Sequence, residues 1–447
     1  MRLYGWVFVI LATFVCASED DPFKTYTLLP TSTLSCSRFD TTHALSLEEV
    51  VNIALCNNPQ TQIAWQGLLY QAALLGQSQA SSLPTLSATG SVAQVESTEY
   101  PTGNQANLTL NASYLLYDFG KQDANVQSAK QLLNAASASN DETIQSLFLE
   151  ALQAYYTLFG TQASLDAALE TERYAKESLN AAEVRLRVGT ATQADVLQAK
   201  TAYSQATLSR IKIEGSLKSA QGTLSSVLGF TPDTKLMLST PSLNPPTEAF
   251  GKNVHALMEE AQSKHPDLLA AQAKIKSNEA SLQAAKAEHL PSFSIAASSG
   301  QNDLGYLDRS SRSSSIGLYV TMPIFTGFST KYKVQAAKEQ LRLSEAQYEK
   351  TRQDVMLGVY QSYQTLISQT QAIQASQTML QSAEASYNVA AGRYKAGVGS
   401  ILDLLSAQSA LANAKQELIQ SLYNWYIAKA SLAKAIGVLN FSHLQGE

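Results

Sequence analysis

The side chains that carry chemistry in most proteins are sparse here and do not cluster. His43, His255, His265, His289 and His443 stand singly, with no spacing that would make a metal-ligand set. No H-E-x-x-H, G-x-x-x-x-G-K-[ST] or G-x-S-x-G motif occurs, so a zinc hydrolase, a phosphate-binding loop and a serine nucleophile all lack support. No catalytic residue, cofactor site or metal site is expected. The acidic pairs Glu48-Glu49 and Glu259-Glu260 fall in helical segments and read as solvated. What does recur is a carboxylate in a fixed setting. Val188-Gly189 precedes Thr192-x-x-Asp195, and Ala396-Gly397 precedes Ser400-x-x-Asp403. A glycine free to turn left-handed, a hydroxyl able to cap and an acid suited to a helix start describe a tight turn between two helices. Each acid is then either a solvated helix-start carboxylate or, if several chains surround one axis, part of a charged ring that favours cations.

Composition narrows the setting of those turns. The 447 residues include 32 basic and 37 acidic side chains, a net charge of 32 − 37 = −5. No basic tract is present, so nucleic acid is excluded as a partner. Charged residues make up 15% of the chain, below the roughly 25% usual in soluble domains. Mean hydropathy is −0.11 although 45% of residues are hydrophobic. Residues 1–17 read as an export signal, with Arg2, an apolar stretch from Trp6 to Val15, and a cleavage site at Val15-Cys16-Ala17. Cys16 could alternatively be an acylated first residue, although Val15 suits that poorly. Two cysteines, Cys36 and Cys56, remain after the signal. In an oxidising compartment an even count favours one disulfide, the alternative being two unrelated buried thiols. Beyond the signal no apolar run approaches the roughly 20 residues of a membrane-spanning helix.

The elements that must position the turns are written twice. Asn58-Pro59 recurs as His265-Pro266 and Leu83-Pro84 as Leu290-Pro291, each 207 residues on (265 − 58; 290 − 83). Val126 to Lys130 matches Val334 to Lys338, and Leu228-Gly229 matches Ile436-Gly437, both at 208 (334 − 126; 436 − 228). The first repeat spans 46–230, with a β-hairpin at 85–117 and long helices at 122–187 and 192–229. The second spans 255–437, with a hairpin at 292–325 and long helices at 331–395 and 400–436. An N-terminal extension (18–45), a connector (231–254) holding Pro232, Pro241, Pro245 and Pro246, and a tail (438–447) complete the chain. Gly160, Gly358 and Gly392 are expected to mark local bends or ends of the long helices.

The hairpins alternate strictly. Leu108, Leu110, Ala112 and Tyr114 interleave with Asn107, Thr109, Asn111 and Ser113, and Ile316, Leu318, Val320, Met322 and Ile324 with Ser315, Gly317, Tyr319 and Thr321. Strands of about ten residues with one apolar face have the length and pattern of a transmembrane β-barrel. Four strands cannot close, and lipid tolerates no open edge. Several chains must therefore share one barrel, and three would give twelve strands. The long helices are rich in Ala, Ser and Gln, as in Ser128 to Ala136, which suits a hollow tube of paired coiled coils better than a solid core. The alternative is an ordinary periplasmic coiled coil carrying a small soluble sheet.

The ordered set of Asn58-Pro59 and His265-Pro266, the two Leu-Pro pairs, Tyr117-Asp118-Phe119-Gly120, Phe325-Thr326-Gly327 and the Val-Gly-x-x-Thr-x-x-Asp turn resembles the TolC family of outer-membrane efflux proteins over about 46–437. The segment Ala54 to Pro59 is more similar to the branch associated with type I secretion. The resemblance implies an α+β membrane protein, a homotrimer whose twelve-stranded outer-membrane β-barrel (four strands per chain) continues into a long periplasmic α-helical barrel. It implies contact with outer-membrane lipid, a periplasmic adaptor (membrane fusion) protein, and an inner-membrane ABC or proton-driven transporter. Val188, Gly189, Thr190, Gly397, Val398 and Gly399 correspond to the tips that meet the adaptor. Asp403, with Asp195 and Tyr394, corresponds to the pore constriction. A second acid found one turn beyond in some members is Ser406 here. The competing function is a periplasmic coiled-coil adaptor or tether without a channel.

Overall fold

A computed structural model describes residues 21–29, 43–96, 103–240, 253–304 and 309–440. The expected signal, Cys16 and Cys36 lie outside the described residues, as do 241–252 of the connector and 441–447 of the tail. Cys56 is disulfide-bonded. The elements appear in the same order twice. The first series is α1 (Leu47–Asn57), α2 (Pro59–Ala80), β1 (Thr85–Val95), β2 (Gly103–Tyr117), α3 (Lys121–Arg187) and α4 (Gln193–Val227). The second is α5 (Val254–Lys264), α6 (Pro266–Ala287), β3 (Ser292–Leu304), β4 (Arg309–Thr321), α7 (Ser329–Lys395) and α8 (Ile401–Ile436). The chain folds as two compact units, and α2, α3, α6 and α7 each contribute to both.

The first unit (21–29, 66–96, 103–138, 270–304 and 309–349) holds the sheet, a single antiparallel ribbon in the order β1-β2-β3-β4. Register fixes its two faces, because side chains opposite one another across a ladder share a side. Leu86 faces Ala112, Ala88 faces Leu110 and Val92 faces Ala106. Ala112 then faces Ala297, and Tyr114 faces Ile295. Ile295 faces Leu318 and Ala297 faces Ile316. The opposite side carries Ser87 against Asn111, Thr89 against Thr109, and Ser91 against Asn107, with Ser298 against Ser315. Asn107, Thr109, Asn111 and Ser113 of β2 thus lie together on the polar side. A bulge between Leu115 and Tyr117 changes the parity, so Tyr117 pairs with Phe293 on the apolar side. Phe119 stacks close to both, with ring centroids 4.8 Å from Tyr117 and 6.5 Å from Phe293. The second hairpin stops at Thr321, short of the 325 expected from sequence. Pro323 has no N–H to give a ladder, so Met322 and Ile324 do not extend the alternation.

The second unit (43–65, 139–240, 253–269 and 350–440) is helical apart from a bridge between Leu45 and Leu238. Its largest core gathers Val50, Val51 and Ile53 of α1, Leu147, Leu152 and Tyr155 of α3, Leu224 of α4 and Ala430 of α8, each at most 1% exposed. Helix α1 opens with a full capping box between Ser46 and Glu49. The Ser46 backbone N–H, His43 and the Ser46 hydroxyl together hold the Glu49 carboxyl down at about 2. Gly160 does not end α3. It lies under the Tyr423 ring of α8, where an added Cβ would sit 3.1 Å from the ring. The glycine serves close approach of the two helices.

Candidate functional site: the paired interhelical turns

The two helices that lead into the turns end in one way. At the C-terminus of α3 the Gly189 N–H bonds the Leu186 carbonyl (3.0 Å) and the Thr190 N–H bonds that of Arg185 (2.9 Å). At the end of α7, Gly397 bonds Tyr394 (3.1 Å) and Val398 bonds Arg393 (3.0 Å). These are Schellman closures, which need a left-handed residue at their glycine. Gly189 and Gly397 have φ of +78° and +79°. Gly399 is constrained differently, since a Cβ there would lie 3.0 Å from the Tyr394 backbone nitrogen and from Arg393 Cβ. Val188 and Val398 are left 66% and 71% exposed, an apolar pair presented by tight loops.

Behind the turns, Ala182, Val196, Ala199, Tyr394, Ile401 and Leu404 form a small core. It joins α3 and α4 of the first repeat to α7 and α8 of the second. Tyr394 is its largest member. Arg185 lies over the ring at 4.0 Å from the centroid, a cation–π contact. The same guanidinium donates to the Tyr394 carbonyl and, at 3.4 Å, to that of Lys395. The Tyr394 hydroxyl is buried without a hydrogen-bond partner among the described residues, and burial raises its pKa above the usual phenol range. Further along the same helices Glu170 of α3 takes bonds from Lys415 of α8 and from the Tyr174 hydroxyl (2.7 Å). Gln408 of α8 donates to Ser178 at 2.8 Å.

The two acids prove unequal. Asp195 completes a capping box: its carboxylate accepts from the Thr192 N–H (2.7 Å) and hydroxyl (2.8 Å), and those bonds hold its pKa below the usual carboxylate range. At the matching place Ser400 accepts from the Asp403 N–H (3.0 Å), but the Asp403 carboxylate makes no return bond among the described residues. It opens instead onto a groove of about 620 Å³, shared with Arg393, Ser386, Gly399 and Ser406. Arg393 is the repeat equivalent of Arg185 (185 + 208 = 393), and its guanidinium has no hydrogen bond or ring contact among the described residues. Sequence reasoning missed Arg185. Its helix-end position reads as a charge suited to the helix dipole, and nothing local names a partner 209 residues away.

One histidine, the C-cap of α5, is buried. His265 is 5% exposed, and its ligand atom lies within 4.8 Å of carboxylate oxygens of Glu142 and Asp267. Its Nδ1 accepts from the Asp267 N–H at 3.2 Å, and Glu142 is held by Lys434 at 2.7 Å. The group is built as a capping and ion-pair network in which Nδ1 of the imidazole is engaged.

The sheet, with one apolar face, one polar face and two edges unpaired among the described residues, and the duplicated long helices define a subunit of an outer-membrane channel. The pattern described as "Outer membrane efflux protein" matches residues 50–230 and 257–438, and the chain belongs to that family. Protein CyaE of Bordetella pertussis is 28% identical over 328 residues, 72% of this chain and 69% of that protein. Outer membrane efflux protein BepC of Brucella suis is 29% identical over 252 residues, 55% of this chain and 52% of the relative, so that match spans about half the relative's length. The crystal structure of the outer membrane protein VceC from Vibrio cholerae superposes with a TM-score of 0.76 at 22% identity, covering 88% of this chain and 96% of that one. The fold is that of an outer-membrane efflux channel, and the adaptor alternative finds no counterpart among these relatives.

Proposed function

We propose that three copies of this chain form an outer-membrane exit duct. Cargo reaches it from an inner-membrane ABC or proton-driven transporter through a periplasmic adaptor seated on the turns. The observation that carries this reading is the four-stranded sheet whose edges, β1 and β4, have no partner among the described residues. Lipid requires closure, and three sheets joined edge to edge give twelve strands, apolar outside and polar within. The exposed Val188 and Val398, with Gly189, Thr190, Gly397 and Gly399 holding their loops tight, offer the adaptor a compact apolar knob. Asp403 is the gate acid, since its carboxylate is free, whereas that of Asp195 is committed to its cap. Cargo class follows from the transporter: an ABC exporter implies a secreted protein, and a proton-driven pump implies drugs.

Planar-bilayer recording tests the duct and its gate together. The purified protein should give conductance steps of one size with cation preference. Asp403→Ala should reduce that preference severalfold, and Asp195→Ala should leave it in place. A protein that inserts no pores sinks the duct; unchanged selectivity in Asp403→Ala sinks the gate assignment alone.

A further inference from the structure

The apolar face of the sheet is not uniform from hairpin to hairpin. On β1 and β2 it stays apolar far along the strands, through Ala88, Leu110, Leu108 and Val92 to Ala106. On β3 and β4 it turns polar beyond the Ala297–Ile316 pair. The next pairs on that side are Ser299 with Ser314, Gln301 with Arg312, and Asp303 with Ser310. Leu108 of β2 pairs with Gln301, so Arg312 stands level with leucine and shares its side of the sheet. Arg312 is exposed, and its guanidinium has no hydrogen bond or ion pair among the described residues.

An arginine on the lipid side of a barrel is strongly destabilising at the bilayer midplane and close to neutral near the interface. Its height decides between them. Gln301 lies eight residues along β3 from Phe293 (301 − 293 = 8), which with Tyr117 and Phe119 forms the aromatic cluster at the end of the sheet next to the helices. At about 3.3 Å per residue and a tilt near 40°, the Arg312 row sits ~20 Å above that cluster. The apolar band of such barrels is about 25 Å tall. Arg312 therefore lies about 5 Å inside the far boundary, and its long side chain reaches the headgroups of the outer leaflet. Joining further sheets at β1 and β4 consumes edges only and leaves this face open.

We propose that Arg312 binds a phosphate of a phosphorylated glycolipid (lipid A) in the outer leaflet, with Gln301, Ser310 and Ser314 meeting the adjoining sugar. A guanidinium matches phosphate as a two-pronged donor, and the amide and hydroxyls that replace Leu, Ile and Val here suit a polyol. Asp303 lies one row farther out and bounds the strip. The proposal rests on the outer-membrane assignment and is independent of Asp403.

The test uses the full chain purified in detergent and titrated with bisphosphorylated lipid A, with its dephosphorylated form and, separately, with phosphatidylglycerol vesicles. Native mass spectrometry reads bound lipid. The unsubstituted protein should favour bisphosphorylated over dephosphorylated lipid A by about tenfold or more, the scale of a charge-assisted bond. Arg312→Ala should abolish that preference and Arg312→Lys retain part of it, with single-channel conductance unchanged in both. Equal binding of the two forms of lipid A by the unsubstituted protein overturns the proposal even if no variant folds. So does an unaltered preference in Arg312→Ala. Equal, Arg312-dependent uptake of phosphatidylglycerol overturns the glycolipid assignment.

Discussion

Gly160 and Gly358 look alike in sequence, each a glycine near the middle of a helix of 67 residues. Removing such a glycine normally gains about 0.5–1 kcal/mol, because alanine restricts the unfolded chain and favours helix. At Gly358 a Cβ meets nothing within 4 Å, so Gly358→Ala should raise stability by about that amount. At Gly160 the Tyr423 ring is in the way, and overpacking costs about 1–3 kcal/mol. The clash outweighs the helical gain, and Gly160→Ala should lower the unfolding temperature in detergent while Gly358→Ala raises it. Matching shifts in both variants would show that the ring yields. No local signal separates these glycines, because the difference lies in a tyrosine 263 residues away (423 − 160). The Asp195 and Asp403 contrast was equally hidden, since both follow the same hydroxyl at the same spacing and only side-chain placement divides them.

At the scale of elements the sequence was legible wherever a boundary has a local chemical cause. Prolines open α2 and α6, and hydroxyls open α4 and α8. Periodicity switches at the strands. The end of β4 was overextended because apolar alternation ran on through Met322 and Ile324, while the missing donor at Pro323 had already closed the ladder. The repeated dipeptides could be found as repeats, but their mutual contact could not. Gly229 and Gly437 end α4 and α8 with φ of +76° and +85°. A Cβ at Gly229 would lie 2.6 Å from the Asn57 carbonyl oxygen, and one at Gly437 2.7 Å from His265 Cα. Each repeat is thus fastened by its last glycine onto the start of its own second helix, where Asn58 donates to the Val227 carbonyl at 2.9 Å. Gly229→Ala and Gly437→Ala combine left-handed strain with a backbone clash, so each should cost more than about 2 kcal/mol. Chemical or thermal unfolding would measure it, and a loss below half that figure would show that the backbone can give way.

For the whole molecule, the duplication was readable from fixed offsets, and with it the four-strand count that demands more than one chain. What could not be read is how the two repeats hold one another, because that depends on pairs such as Arg185 with Tyr394 and Glu170 with Lys415. Arg185 ties the end of the first long helix to the backbone and ring of the second. Arg185→Ala should therefore loosen the turns and raise the baseline conductance of the closed channel, whereas Arg393→Ala, which removes no such contact, should leave it near the original level. Bilayer recording at low voltage distinguishes them, and equal leak in both variants would remove Arg185 from the closure.

The stacked tyrosine has a consequence for symmetry. Tyr394 has Leu186 as its repeat equivalent (186 + 208 = 394), so the arginine clasp runs in one direction only, from the first turn of each chain to the second. In a ring of three such chains the six turns would alternate between holder and held, giving threefold rather than sixfold order.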